Sequence, residues 1–341
     1  MEPDGLLSDL LKRVSRSFYL SLAILPRSLR APIGLAYLFA RAADTIADTR
    51  LISREARLHH LEALRAELRG ELPSRLDEII GACTGPNIHA GERELLRRLP
   101  DCSARYRELD KADRERVQTL LLTITEGMTL DLTTFPGEDE GRLVALESRH
   151  DLDRYTYLVA GCVGEFWTEI HVAHRPRLSP WDVQEMKQRG VRFGKGLQMT
   201  NVLRDLARDL RIGRCYLPRQ ELARLGLDPT DLLDPASTPK VRPLIMELLI
   251  LTLEHYEAGW AYTLAIPTPE WRMRLACAWP LLIGLRTLAL VAESPNLLDP
   301  AQQTKISRSV VYGILARSLV LVWSNRFLNA TARRLRARIP A

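Results

Sequence analysis

Gln198-Met-Thr-Asn-Val-Leu-Arg-Asp-Leu-Ala-Arg-Asp209 decides how this 341-residue chain is to be read. Asp205 and Asp209 lie four residues apart, one turn along the same face of a helix. Gln198 and Asn201 continue that polar face at spacings of three and four, while Leu197, Val202, Leu203 and Leu206 around it are apolar. A polar stripe set into an apolar helix points to a wet interior rather than a solvated surface. Like charges at this spacing destabilise an isolated helix by a few tenths of a kcal/mol. A divalent cation reverses the sign, because Mg²⁺ prefers carboxylate oxygens and shares its shell with water and substrate phosphates.

The same device recurs upstream in Tyr37-Leu-Phe-Ala-Arg-Ala-Ala-Asp-Thr-Ile-Ala-Asp48. Asp44 and Asp48 are again one turn apart, with Arg41 and Tyr37 on the preceding turns. One such pair is most often a solvated face, since aspartate is mostly exposed. Two of them, each with polar neighbours in register, are what a diphosphate clamp between facing helices requires. Ser15-Arg16-Ser17 offers hydroxyls and a guanidinium to phosphate oxygens, or simply begins a helix. In Tyr155-Thr-Tyr157-Leu-Val-Ala-Gly161-Cys-Val-Gly164 the small residues either let two helix backbones approach closely or leave room for a long apolar ligand. The tyrosine rings either pack or offer π faces to a cation.

Around these motifs the chain reads as helix almost throughout. Apolar residues recur at three- and four-residue intervals over 55–70, 90–108, 111–134, 150–173, 179–209, 239–265, 270–294 and 305–335. Hairpin signals and alternating β-branched runs are nearly absent. Proline and glycine cluster between the periodic segments; the longest break, 213–240, is a connector, and some connectors are expected to carry short helices. The expected architecture is a single all-α domain over 1–341, a helical bundle around a central apolar cavity, with a basic tail at about 328–341.

Composition agrees: 46% hydrophobic and 26% charged residues exclude a disordered or collagen-like chain. Five dispersed cysteines without a C-x-x-C pair argue for reduced thiols in a cytoplasmic compartment and against a zinc site. The net charge of +6 suits anionic ligands or an anionic membrane surface. No nucleic-acid partner is expected, because lysine and arginine are dispersed and no binding motif is recognisable. No window approaches the ~18 consecutive apolar residues of a spanning helix. The apolar run Val310–Phe327, with Arg317 and Arg326 inside it, suits either peripheral contact with a membrane or a core helix.

In order, Ser15-Arg-Ser-Phe, Tyr37 to Asp48, Tyr155 to Gly164, Gln198 to Asp209 and Arg211-Ile-Gly-Arg-Cys-Tyr-Leu-Pro218 resemble the squalene/phytoene synthase family. The resemblance implies an isoprenoid synthase fold and head-to-head condensation of two prenyl diphosphates through a cyclopropyl intermediate. Carried over by motif, Asp44, Asp48, Asp205 and Asp209 would hold Mg²⁺. Ser15, Arg16, Ser17, Arg41 and Arg204 would bind diphosphate. Tyr37, Arg41, Tyr157, Gln198 and Asn201 would line the reaction centre, with apolar walls that include Met128 and Phe166.

Within the family, Gly196-Leu-Gln-Met-Thr-Asn-Val-Leu-Arg204 and Lys305-Ile-Ser-Arg308 resemble the enzymes that convert farnesyl diphosphate to squalene with NADPH. Leu158 stands where eukaryotic enzymes of that kind often have tyrosine, and Tyr155-Thr-Tyr157 and Gly213 to Pro218 look more like those that end at phytoene or dehydrosqualene. A non-catalytic scaffold of the same fold is a third reading, against which the retention of all four aspartates speaks. No G-x-G-x-x-G follows a predicted strand, so NADPH would not use a Rossmann site.

Overall fold

Residues 6–15, 19–86, 88–135, 141–302 and 306–339 are described by the computed structural model. They form sixteen α-helices. The first eight are α1 (Leu11–Ser15), α2 (Tyr19–Ala23), α3 (Arg27–Asp48), α4 (Arg54–Arg69), α5 (Leu76–Cys83), α6 (Ala90–Arg97), α7 (Leu99–Arg107) and α8 (Lys111–Thr134). There follow α9 (Arg149–Thr156), α10 (Cys162–His174), α11 (Val183–Arg211), α12 (Arg219–Arg224), α13 (Thr238–Ala265), α14 (Trp271–Glu293), α15 (Arg308–Leu321) and α16 (Asn325–Arg336). Among the described residues the only strands are β1 (Val144–Ala145) and β2 (Arg214–Cys215), which pair in parallel. The fold class is all-α, as the periodicity predicts.

Local signals set many of the ends. Ser53 caps α4 by accepting from the Ala56 amide, and Gly70 stops it in the left-handed conformation. Ser148 and Asp151 form a capping box on α9, and Asp182 accepts from the amides of Gln184 and Glu185 at the start of α11.

Three expected continuous helices are broken. The segment 90–108 divides at Arg98, because Pro100 has no amide proton to extend the hydrogen bonding of α6. The segment 150–173 contains a π-helical turn, Tyr157–Gly161, between α9 and α10. The segment 305–335 turns a corner at Val322–Ser324, where Ser324 caps α16. The expected basic tail is therefore largely helix, with Leu328 and Ala332 buried beneath its arginines. The 213–240 connector is one of those that carry short helices, α12 and two 3-10 turns.

The chain divides into two compact units, Met1–Leu132 with Phe166–Pro176, and Thr133–Glu165 with Arg177–Ala341. In the first, Phe39 of α3 meets Tyr106 of α7 edge-on at 5.7 Å. Buried Glu67 accepts hydrogen bonds from Ser74, Ser103 and Arg107, which offset its desolvation. His171 is fully buried, its Nδ1 on the Trp167 carbonyl at 2.8 Å and its Nε2 without a hydrogen-bond partner among the described residues. Burial pushes its pKa down from 6.5 to about 3.

The unfolded chain therefore binds the extra proton first, so stability present above pH 6.5 is lost as the pH falls from there towards 3. By pH 5 the loss from this one residue is roughly 2 kcal/mol. Thermal unfolding at pH 7.5 and pH 5 should show it, and His171→Phe should narrow the gap between the two melting temperatures. An unchanged gap would show that the ring is protonated equally in both states.

In the second unit α11 runs against α13 and against the π turn. A Cβ on Gly164 would lie 2.0 Å from the Gly190 carbonyl oxygen, and one on Gly194 would lie 2.2 Å from that of Ala160. The small residues at 160, 161 and 164 therefore serve close approach of backbones, the first of the two readings left open by sequence. Tyr256 is buried between Gly196 and Gly284, its hydroxyl 2.9 Å from Thr200 Oγ1 of α11. By length and composition α14 with its preceding turn, Thr268–Glu293, would suffice to cross a membrane, but 78% of its apolar window is buried, as in a core helix.

Candidate active site

In the first unit the polar face of α3 carries Tyr37, Arg41, Asp44 and Asp48. Arg41 donates to Asp44 Oδ2 at 2.6 Å and, through its other terminal nitrogen, to Glu92 of α6. Its Nε is buried and has no hydrogen-bond partner among the described residues. Burial alone would lower the guanidinium pKa, and Asp44 and Glu92 outweigh it, so Arg41 is held more firmly charged than usual. Asp44 is half-exposed and Asp48 exposed, so both carboxylates can reach a ligand. Tyr37 donates to the Val14 carbonyl at 3.5 Å.

Ser15 is buried, and its hydroxyl proton goes to the Leu11 carbonyl within its own helix rather than towards a ligand. Arg16 and Ser17, expected beside it, lie outside the described residues, as does Lys305. Two turns before Arg41, the same face of α3 continues through Gly34 and Arg30 into an apolar cavity of about 150 Å³, walled by Leu7, Leu11, Leu22 and Leu25.

In the second unit the stripe on α11 forms as its spacing predicts. Gln198 Nε2 donates to the Tyr155 hydroxyl at 3.3 Å, and Asn201 Nδ2 donates to Gln198 Oε1 at 3.2 Å. Arg204 grips Asp205 with two nitrogens, Nε lying 2.9 Å from Oδ1. That hydrogen bonding raises the Arg204 pKa against the opposing effect of burial. Tyr155 stacks on Tyr216 with centroids 4.7 Å apart, and Phe135 meets Tyr216 edge-on. Tyr157, in the π turn, donates to Glu165 at 2.9 Å. The Lys195 ammonium lies 5.8 Å from the centre of that ring and 2.7 Å from Asp153. A single π turn at a functional position is a common use of this rare geometry.

Sequence reasoning missed Glu92, Glu165, Lys195 and Tyr216. Glu92 is 51 residues from Arg41 and shares no spacing with it. Lys195 had a signal, since it stands one turn before Gln198 on the stripe. A further group, Asp110, Asp113 and His174, gathers three possible metal ligands within 4.8 Å. Its charges are already met inside the protein, Asp113 pairing with Arg116 and His174, and Asp110 accepting from the Asp113 amide.

The squalene/phytoene synthase family profile matches residues 11–310. A bifunctional lycopene cyclase/phytoene synthase from Arthroderma gypseum is 31% identical over 244 residues, 70% of this chain and 39% of that protein. A squalene synthase from Eremothecium gossypii is 26% identical over 310 residues, 91% of this chain and 66% of that protein. The solved complex of TcSQS with the ligand E5700 superposes with a TM-score of 0.77 at 25% identity, covering 98% of this chain and 91% of that one. The chain thus spans about two fifths of the first relative and about two thirds of the second.

Proposed function

The chain belongs to the squalene/phytoene synthase family, a family of prenyltransferases, and from that premise we propose that it is a squalene synthase. In this reading it joins two farnesyl diphosphates head to head into presqualene diphosphate, releasing pyrophosphate. Hydride from bound NADPH would then convert this cyclopropyl product to squalene, with loss of the second pyrophosphate. The observation that carries the assignment is coverage. Likeness to a squalene synthase runs over 91% of the chain in sequence, against 70% for the phytoene synthase relative.

The donor sets suit Mg²⁺. Asp44 with Asp48, and Asp205 with Asp209, each present two hard oxygen ligands on one helix face, partly open to solvent. Bound there, Mg²⁺ would neutralise charge on the departing pyrophosphate. Arg41, with its buried and unspent Nε, and Arg204 would donate to phosphate oxygens. Gln198 and Asn201 present amide dipoles beside Tyr155, suited to orienting the first cation once the allylic C–O bond breaks. The apolar cavity at Gly34 would take part of a prenyl tail and keep water from it. Two-residue strands leave no Rossmann crevice among the described residues, so helices would hold NADPH. Five free, buried cysteines suit the reducing cytoplasm in which we place the enzyme.

The 31% identity to a phytoene synthase fusion favours a second reading, in which proton loss replaces hydride transfer. Product analysis from farnesyl and from geranylgeranyl diphosphate with Mg²⁺, each with and without NADPH, separates the two. Squalene that appears only with NADPH is the expected result. Dehydrosqualene or phytoene formed regardless of NADPH would transfer the chain to the second reading. Both diphosphates left unconsumed would leave only a scaffold role.

A further inference from the structure

We propose that the outer face of α15 and α16 docks in the plane of an anionic lipid bilayer. Of the nine exposed large apolar side chains among the described residues, five lie between 312 and 327: Tyr312, Leu319, Val320, Trp323 and Phe327, each 49–77% exposed. Tyr312, Ala316, Leu319, Val320 and Trp323 recur at helical spacing, so they make one continuous stripe. This stripe is not the face that holds the helices to the protein. Ser318, Val322, Leu328 and Ala332 are the buried positions, and the Trp279 indole donates to Ser318 Oγ at 2.7 Å. Isolated surface apolar residues need no explanation, whereas a contiguous stripe marks an interaction site.

The corner that displays Trp323 is built to stay in place. Arg274 of α14 is fully buried, and its guanidinium donates to the carbonyls of Val322 and Ile266 and to Asn325 Oδ1. An arginine is seldom buried unless its donors are met, and here they clamp the turn between α15 and α16. Trp323 also lies 5.8 Å from Trp271, whose ring carries the Arg272 guanidinium at 5.1 Å. Aromatic rings at the boundary of apolar and charged groups are the side chains that settle at a lipid headgroup layer.

Charge selects the occupant. After Asp299 the chain has one lysine, seven arginines and no acidic residue; with a net charge of +6 overall, the preceding 299 residues carry −2. The basic excess of the protein is thus wholly in this segment, contrary to the dispersed distribution assumed from the total. Arg308 stands one turn before Tyr312, Arg334 stands two turns after Phe327, and Arg317, Arg326 and Arg333 are exposed on the flanks. Apolar side chains flanked by arginines match an anionic membrane surface, where the two attractions add. A nucleic acid would use the arginines and leave Leu319 and Val320 without a role.

Cosedimentation of the full chain with vesicles tests this without turnover, so its outcome is independent of the synthase reading. Vesicles containing roughly a third phosphatidylglycerol should bind the protein at low salt, with at least a ~10-fold loss at about 500 mM NaCl, where exposed charges are screened. Pure phosphatidylcholine vesicles should bind it weakly. Val320→Asp and Phe327→Ser, both at mostly exposed side chains, should each weaken binding at least ~10-fold with unchanged helix content. Leu72→Ser, exposed elsewhere, should not. Protein that stays in the supernatant at low salt overturns the proposal, as does undiminished vesicle binding by both apolar variants. Binding to an RNA oligonucleotide without binding to vesicles, or a dimer that Val320→Asp dissociates in the same circumstance, overturns it too.

Discussion

Asp44→Asn and Asp205→Asn should each lower turnover of farnesyl diphosphate at least ~10²-fold, the scale of losing a key electrostatic stabiliser of a transition state. Asparagine keeps the shape of the side chain and removes the charge, so the expected loss is in chemistry rather than in folding. Stability should change little. Relief of the like-charge pair on α3 favours the variant by a few tenths of a kcal/mol. Loss of the partly exposed Arg41–Asp44 ion pair, 2.6 Å long, works against it by a similar amount. The i,i+4 repulsion seen in sequence is thus already offset by Arg41, and a rise in stability of the metal-free protein is not expected. Circular dichroism and unfolding curves should match those of the unsubstituted protein. Near-normal turnover in either variant would remove that aspartate from the reaction.

Gly164→Ala should be the most destabilising single methyl group in the second unit. Its Cβ would sit 2.0 Å from the Gly190 carbonyl oxygen and 2.7 Å from the Val191 amide nitrogen, both backbone atoms of α11. Backbone cannot swing aside as a side chain can, so α10 and α11 must separate. Overpacking of this kind costs about 3 kcal/mol or more, which lowers the melting temperature by roughly 5–10 °C. The same shift would move α11, with Gln198 and Asn201, away from the π turn that holds Tyr157, so activity should fall with stability. Gly81→Ala is the matched comparison. It lies inside α5 with nothing within 4 Å of its Cβ, and should stabilise by up to ~1 kcal/mol through helix propensity. Equal melting temperatures for the two variants would contradict the close approach of α10 and α11.

The aspartate pairs, the Gln198–Asn201 stripe and the helical class were legible in the sequence because each is a matter of spacing. Backbone hydrogen bonding in a helix reaches only four residues, so periodicity reports it directly. Partner choice is not local. Glu92 reaches Arg41 across 51 residues, Tyr216 reaches Tyr155 across 61, and the Ser15 hydroxyl turns inward although its sequence context suits phosphate equally well. The π turn at Tyr157 was hidden for a related reason. Its one-residue shift of register accompanies the fit of Gly161 and Gly164 against Val191 and Gly190, a contact made only once α11 is in place. The apolar residues from 310 to 328 show the limit most clearly. Their spacing defines faces, but the choice of Val322 and Leu328 for the interior, and of Val320 and Phe327 for the outside, was made by the shape of α14 and the reach of Arg274.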